Sequence, residues 1–255
     1  VNASGATYVG WNWKANGSGV SNTDGSITST VSANTESGFS IVSYTGTGSD
    51  VLIGHGLDQK PQMIITKNRD GAYSWTVTHF QMNGGSAPAD NGRMYLNSTG
   101  GYGVGSGLYD YAEFTDTVYS INGGDHNLNF SGEDYIAYCF HSVDGFSKFG
   151  SYTGNGSADG PFVYTGFRPA WVLIMCSSAS ANHPLADNAR DTYNPAGTSL
   201  FPETTDGDNS KSGREIDFLS NGFKIRNGNG EKNSSGATYI YAAFAENPFK
   251  YSNAR

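Results

Sequence analysis

At 255 residues the chain is long enough for one large domain or two ordinary ones, because a single core commonly serves ~100 to 200 residues. Its 35 glycines and 15% charged residues, against roughly 25% in ordinary soluble domains, are a turn-rich β composition, and 13% aromatic residues exclude a chain too poor in apolar surface to fold. A formal net charge of −8 without a basic block disfavours phosphate backbones and anionic lipid, so neither nucleic acid nor membrane is an expected partner.

The first predicted element is a strand in which Val9, Trp11 and Trp13 alternate with Tyr8, Gly10 and Asn12. A polar connector with an Asp24-Gly25 turn leads to residue 37. The Ser-Tyr-Thr-Gly-Thr-Gly-Ser block at Ser43 to Ser49 follows, and then Gln62 to Thr66, apolar on both faces as a central, doubly covered strand is. Tyr73, Trp75, Val77 and His79 alternate with Ser74, Thr76 and Thr78, which predicts a half-buried antiparallel strand with one wet side. Gly84 to Gly107 has no clear period and reads as a long loop. Strand residues Phe114, Tyr119 and Ile121, an Asn122-Gly123-Gly124 turn and a strand through Ile136, Tyr138 and Phe140 complete the first half.

The second half repeats the first. Ser151 to Ser157 lies 108 positions after Ser43 to Ser49 and matches it at six of seven residues, and Pro169 opens an apolar run, including Trp171 to Met175, at the same displacement from Pro61. Phe218, Phe223, Ile225 and the block Ser235 to Ile240 follow Phe114, Tyr119, Ile121 and Ser131 to Ile136 at a displacement of 104, which also aligns Asp217 with Glu113. The polar stretch Ser177 to Gly213 occupies the place of Gly84 to Gly107, and such loops on a rigid scaffold are where recognition is expected. Asn2 to Val9 mirrors Asn129 to Ile136 and Asn233 to Ile240, so the closing strand occurs a third time at the start, expected as the end of a preceding unit in a longer modular polypeptide.

The expected fold is therefore all-β: two tandem antiparallel β-sandwich, jelly-roll-like units related by internal duplication. Residues 1–37 are the closing strand of a preceding unit plus the connector, 38–144 the first sandwich and 145–255 the second. The repeated face of Ile136, Tyr138 and Phe140, and of Ile240, Ala242 and Phe244, is expected to fill a core in each unit. Cys139 and Cys176 sit in apolar runs and read as buried free thiols. No run of residues is long and apolar enough to span a bilayer, and no signal-peptide pattern opens the chain, so it is expected to be soluble, with any export arranged by the parent protein.

The candidates for chemistry are few. Glycoside hydrolysis needs two carboxylates across a scissile bond, for which Asp110, Glu113 and Asp116, or Asp206, Asp208, Glu215 and Asp217, are available; a turn role is the better reading of an acid shared by both copies. Asp206, Asp208, Ser210 and Asp217 have the oxygen spacing of a calcium loop, but Lys211 stands where such a loop needs glycine, so no cofactor is expected. The five histidines, His55, His79, His126, His141 and His183, show no metal-ligand spacing. Aromatic rings can stack on the apolar faces of sugars, and Tyr73, Trp75, Tyr102, Tyr109 and Tyr193 are the candidates near the long loops, against the alternative of core packing. Asn2, Asn129 and Asn233 each head an Asn-x-Ser triplet at one place in the repeat, which a shared turn explains better than glycosylation.

Trp11-Asn12-Trp13-Lys14-Ala15-Asn16-Gly17, Ser26 to Asn34, Gly38-Phe39-Ser40-Ile41-Val42 and the Tyr-Thr-Gly-x-Gly blocks resemble an uncharacterised domain of tail-fibre and virion structural proteins of marine bacteriophages. Asp187 to Pro195, Asp217 to Lys224 and Tyr239 to Phe249 extend the resemblance over nearly the whole chain, with a departure in the Gly-rich stretch from Gly84 to Tyr111. That family often follows a laminin-G-like lectin domain. The resemblance implies a non-enzymatic structural and adhesion module at the virion surface. Its partners would be other virion subunits, a homo-oligomer with a trimer favoured, and host surface glycans or proteins. A polysaccharide depolymerase and a bacterial secreted fibre or surface-layer subunit are the alternatives.

Overall fold

A computed structural model describes residues 3–88, 92–104, 108–210 and 213–248. The fold is all-β, with antiparallel ladders throughout its sheets. The first unit contains β1 (Val20–Asn22), β2 (Ser29–Asn34), β3 (Phe39–Thr45), β4 (Val51–Gly54), β5 (Met63–Asn68) and β6 (Trp75–His79). It continues through β7 (Gly92–Tyr95), β8 (Gly103–Val104), β9 (Tyr109–Asp110), β10 (Val118–Ile121) and β11 (Asp134–Phe140). The second contains β12 (Ser147–Thr153), β13 (Phe162–Tyr164), β14 (Pro169–Cys176), β15 (Leu185–Asp187) and β16 (Thr198–Ser199). It ends with β17 (Asn209–Ser210), β18 (Ile216–Leu219), β19 (Gly222–Ile225) and β20 (Thr238–Ala245).

The duplication is visible in the ladders. The first unit's large sheet runs β1-β2-β3-β11-β5-β6-β7-β8 and the second's β12-β20-β14-β15, so each closing strand, β11 or β20, lies between the strand leading into its Tyr-Thr-Gly block, β3 or β12, and the proline strand, β5 or β14. Register agrees to the residue: Tyr138 is flanked by Ile41 and Ile65, and its counterpart Ala242 by Phe149 and Leu173. Smaller sheets, β4-β10-β9 and β13-β19-β18, cover one face of each large sheet. The turns before the closing strands also match. The hydroxyl of Tyr44 donates to the Leu128 carbonyl and that of Tyr152 to the Lys232 carbonyl, both at 2.7 Å. Tyr44 stacks on Tyr135, and Tyr152 on Tyr239, with ring centroids 5.2 Å apart in both cases. Asn129 and Asn233 are fully buried, their side-chain oxygens accepting the Thr47 and Asn155 amides, so these two Asn-x-Ser triplets mark a shared turn, while Asn2 lies outside the described residues.

Each unit has its own core between its large and small sheets, and a third core joins the units because the two large sheets also pack against each other. The closing-strand face expected to fill each unit's own core faces this shared core instead: Phe140, Ile240 and Ala242 are buried in it, with Tyr138 and Phe244 packed beside them. The units' own cores take the opposite face, Tyr135, Ala137 and Cys139 in one and Tyr239, Tyr241 and Ala243 in the other. Gln62 to Thr66 and Trp171 to Met175 are doubly covered, as expected, since Ile64 and Val172 look into the unit cores while Met63 and Leu173 look into the shared one. The wet side expected of β6 is covered as well, on the face turned toward the unit's own core. Thr76 and Thr78, opposite Thr66 and Ile64, are buried.

The N-terminal stretch differs from the strand expected of it. Residues 3–19 hold no ladder among the described residues, although Trp11 and Trp13 alternate with exposed neighbours. They lie as a strap over the end of the shared core. Trp13 meets the Trp171 and Phe244 rings at 5.4 and 5.3 Å, and Trp11 meets Trp171 at 6.2 Å. Beneath the strap is a cavity of about 460 Å³ bordered by all four tryptophans of the chain. The connector forms the β1-β2 hairpin and joins the first unit's large sheet, with Ser26 exchanging hydrogen bonds with Leu52 at the edge of β4.

Candidate functional site

The two long polar stretches are partly ordered as β7, β8 and β15 to β17, and they grip each other across the units rather than standing free. The Tyr102 amide donates to the Ser177 carbonyl at 2.7 Å and the Ala181 amide to the Thr99 carbonyl at 2.9 Å. His183, fully buried, places Nε2 2.7 Å from the Ser98 carbonyl oxygen. This interlock fixes the candidates nearby. Tyr102 is half-buried against the shared core, and Trp75 borders the cavity and stacks on Tyr138 at 6.5 Å. Tyr109 is 1% exposed with its hydroxyl on Thr66, and burial drives its pKa upward, so it is a core residue. Tyr193 is 86% exposed on a loop.

The acids are engaged individually. Asp110 caps the 3-10 turn Tyr111–Glu113 through the Ala112 amide, Asp116 accepts the Lys60 amide, and Glu215 accepts the Gly213 amide. Asp208 pairs with Arg190 at 2.6 Å and Asp217 with Arg226 at 3.3 Å, while Asp206 is exposed and Ser210 lies in β17 opposite Thr198. Asp206, Asp208 and Asp217 are therefore not gathered into one donor set, and the Ser210 side chain and Lys211 lie outside what is described. Among the described residues no group of three or more His, Cys, Asp or Glu side chains could hold a metal ion. The ladders also correct two equivalences: Asp110 opposes Ser120 as Asp217 opposes Lys224, so the acid matching Asp217 is Asp110 and the residue matching Phe218 is Tyr111, while Glu113 and Phe114 belong to a 3-10 turn and its cap, for which the tight β18-β19 hairpin has no room.

Tyr73 is the candidate that the fold places in a surface cluster. Its ring stacks on His126 at 4.9 Å with 10° between planes, and His126 stacks in turn on Phe130 at 3.6 Å with 21° between planes. Gly71 lets the Tyr73 ring lie flat, since a Cβ there would sit 2.3 Å from it. Phe130 is 39% exposed and the His126 side chain 40% exposed, so the column opens to solvent. Glu133 braces it from behind, with Oε1 3.0 Å from His126 Nδ1 and Oε2 accepting Asn68 Nδ2 at 2.6 Å and the Tyr135 hydroxyl at 3.1 Å. Burial acts to raise the Glu133 pKa, but these hydrogen bonds and His126 outweigh it and hold the carboxyl below its ordinary value.

The second unit supplies a comparison within the molecule. At the positions of Asn68, Tyr73, His126, Phe130 and Glu133 it carries Cys176, Ala181, Gly230, Ser234 and Ala237, on the same turn and strands. The shared scaffold does not need the column. Sequence reading alone missed His126, Phe130 and Glu133, although the signal was present in these differences between two otherwise matching turns.

Fold and surface together define a duplicated, antiparallel β-sandwich module with an aromatic platform on one copy. The chain belongs to the family described as a domain of unknown function (DUF7483), whose model matches residues 1–248. No curated protein and no solved structure matches the chain. No helix among the described residues is long and apolar enough to cross a membrane.

Proposed function

We propose that the chain is a non-enzymatic structural and adhesion module of a virion surface appendage, such as a phage tail fibre, and that it binds host surface glycans on the Tyr73, His126 and Phe130 platform. The observation that carries this reading is the internal comparison: one copy bears a braced aromatic column open to solvent where the other bears small residues. Sugar rings present apolar C–H faces, and a preorganised ring column receives them with little loss of side-chain freedom. The rest of the body supports a structural role, since the two copies are fused by a shared core and by interlocked loops.

The test is binding of the chain to host surface polysaccharides on a glycan array, alongside Tyr73→Ala and Phe130→Ser, the residues the second unit uses. Each variant is expected to lose affinity about tenfold, or ~1.4 kcal/mol, with an unchanged melting temperature. Undiminished binding by both variants, or no host glycan bound by the parent chain, would refute the reading. Release of reducing ends from a bound polysaccharide would replace it with a depolymerase.

A further inference from the structure

The turn that precedes each closing strand is built a third time, near the start of the chain. In the first unit the Phe130 amide donates to the Tyr135 hydroxyl at 2.9 Å, and in the second the Ser234 amide donates to the Tyr239 hydroxyl at 2.8 Å. The Ala3 amide donates to the Tyr8 hydroxyl at 2.8 Å. Glycines at the same step, Gly132, Gly236 and Gly5, have φ of 83°, 75° and 77°, left-handed values that glycine alone adopts freely. Each turn also closes with a three-residue bond, Glu133 to Phe130, Ala237 to Ser234 and Ala6 to Ala3, at 3.3, 3.1 and 3.2 Å.

The surroundings are where the third copy differs. Tyr135 and Tyr239 are fully buried, each stacked on the tyrosine of its unit's Tyr-Thr-Gly block, whereas Tyr8 is 56% and Val9 37% exposed. Both Tyr-Thr-Gly blocks of the chain are already engaged by their own turns, through Gly46 with Glu133 and Gly132, and through Gly154 with Ala237 and Gly236. Ala3 to Tyr8 thus has the turn that leads into a closing strand, and the segment through Trp13 lies outside the sheets that receive the other two.

We infer that this segment is the closing strand of a further unit of the same fold, located on its N-terminal side in the polypeptide, and that it inserts between that unit's counterparts of β3 and β5. Chain order selects the side. In the first unit the closing strand β11 comes last and leads directly to β12 of the next, so the unit that owns a closing strand precedes it. Tyr8 would stack on that unit's Tyr-Thr-Gly tyrosine. Trp11 and Trp13, already seated on Trp171 and Phe244, would fasten the preceding unit to the shared core.

Tyrosine nitration read by mass spectrometry tests this, with Tyr164 and Tyr193, 63% and 86% exposed, as reactive controls. In the 255-residue chain Tyr8 is expected to react like the controls, while Tyr135 and Tyr239 are spared. In the intact native polypeptide Tyr8 is expected to be protected at least tenfold while both controls still react, and the Val9 and Gly10 amides should exchange as slowly as those of β11. Unprotected Tyr8 in the intact polypeptide would overturn the inference, as would an upstream sequence without a Tyr-Thr-Gly block and proline strand. Protection that appears in this chain on concentration and vanishes on dilution would give the strand to a second copy, and would overturn the assignment too.

Discussion

Lys232 offers the sharpest test of the internal equivalence. It is 1% exposed, its amine donates to the Arg214 carbonyl, and the first unit has the fully buried Leu128 at the same position. Burial pushes its pKa down to about 7. The unfolded chain holds this proton to about pH 10.5, so across the interval above 7 the unfolded state binds more protons and stability rises with pH. From pH 6.5 to 8.5 the rise from this group is roughly 2 kcal/mol. Lys232→Leu removes the titration and costs the Arg214 carbonyl its partner, a loss of about 1–3 kcal/mol. Below pH 7 the buried ammonium costs the folded state about 4–5 kcal/mol, which leucine removes and which exceeds that loss, so the variant is expected to be the more stable at pH 6.5, with its advantage shrinking by roughly 2 kcal/mol at pH 8.5, or about 4–8 °C in melting temperature. Paired thermal and urea melts at the two pH values measure the difference, and other titrating groups cancel between the proteins. An advantage equal at both values would refute the argument.

Three further outcomes follow from the packing. Phe149→Ala, at a ring 2% exposed between Phe140 and Phe244, should cost about 3–5 kcal/mol, and calorimetry should still give one transition because the shared core couples the units. Tyr135→Phe and Tyr239→Phe should each lose about 1 kcal/mol in urea melts, and by similar amounts, since each hydroxyl closes the same turn. His55 and His79 are held neutral by burial, with pKa values lowered to about 4 and about 3. The unfolded chain protonates them below about 6.5, so stability should fall as pH drops from 6.5 toward 4, and His79→Gln should reduce that fall in urea midpoints.

Much of this architecture was legible in the residues. The repeated Tyr-Thr-Gly blocks and proline strands fix which strands are equivalent, and apolar residues on both faces of Gln62 to Thr66 mark a strand covered twice. Alternation states that a face is buried without stating what buries it, so Tyr138 and Phe140 were readable as core but not as the core between units. For the same reason Thr76 and Thr78, polar residues paired with polar and apolar neighbours on one face, suggest solvent where a small sheet in fact covers them. Trp75 and Tyr109 share the composition of sugar-binding aromatics, and their burial depends on contacts distant in sequence. The platform was hidden because His126, Phe130 and Glu133 fall within a turn and strand start, whose periodicity carries no information about a column formed with Tyr73, far away in the chain.

The shared core also bears on how such a gene can change. A copy that folded like a bead on a string could be dropped or multiplied by recombination without harm to its neighbour. Here the excision of one copy would strip Phe140 and Tyr138, or Ile240 and Phe244, of the partners that keep them from water, leaving a broad sticky flank. Inheritance should therefore favour the couplet, with variation confined to single side chains such as those that separate the Phe130 turn from the Ser234 turn.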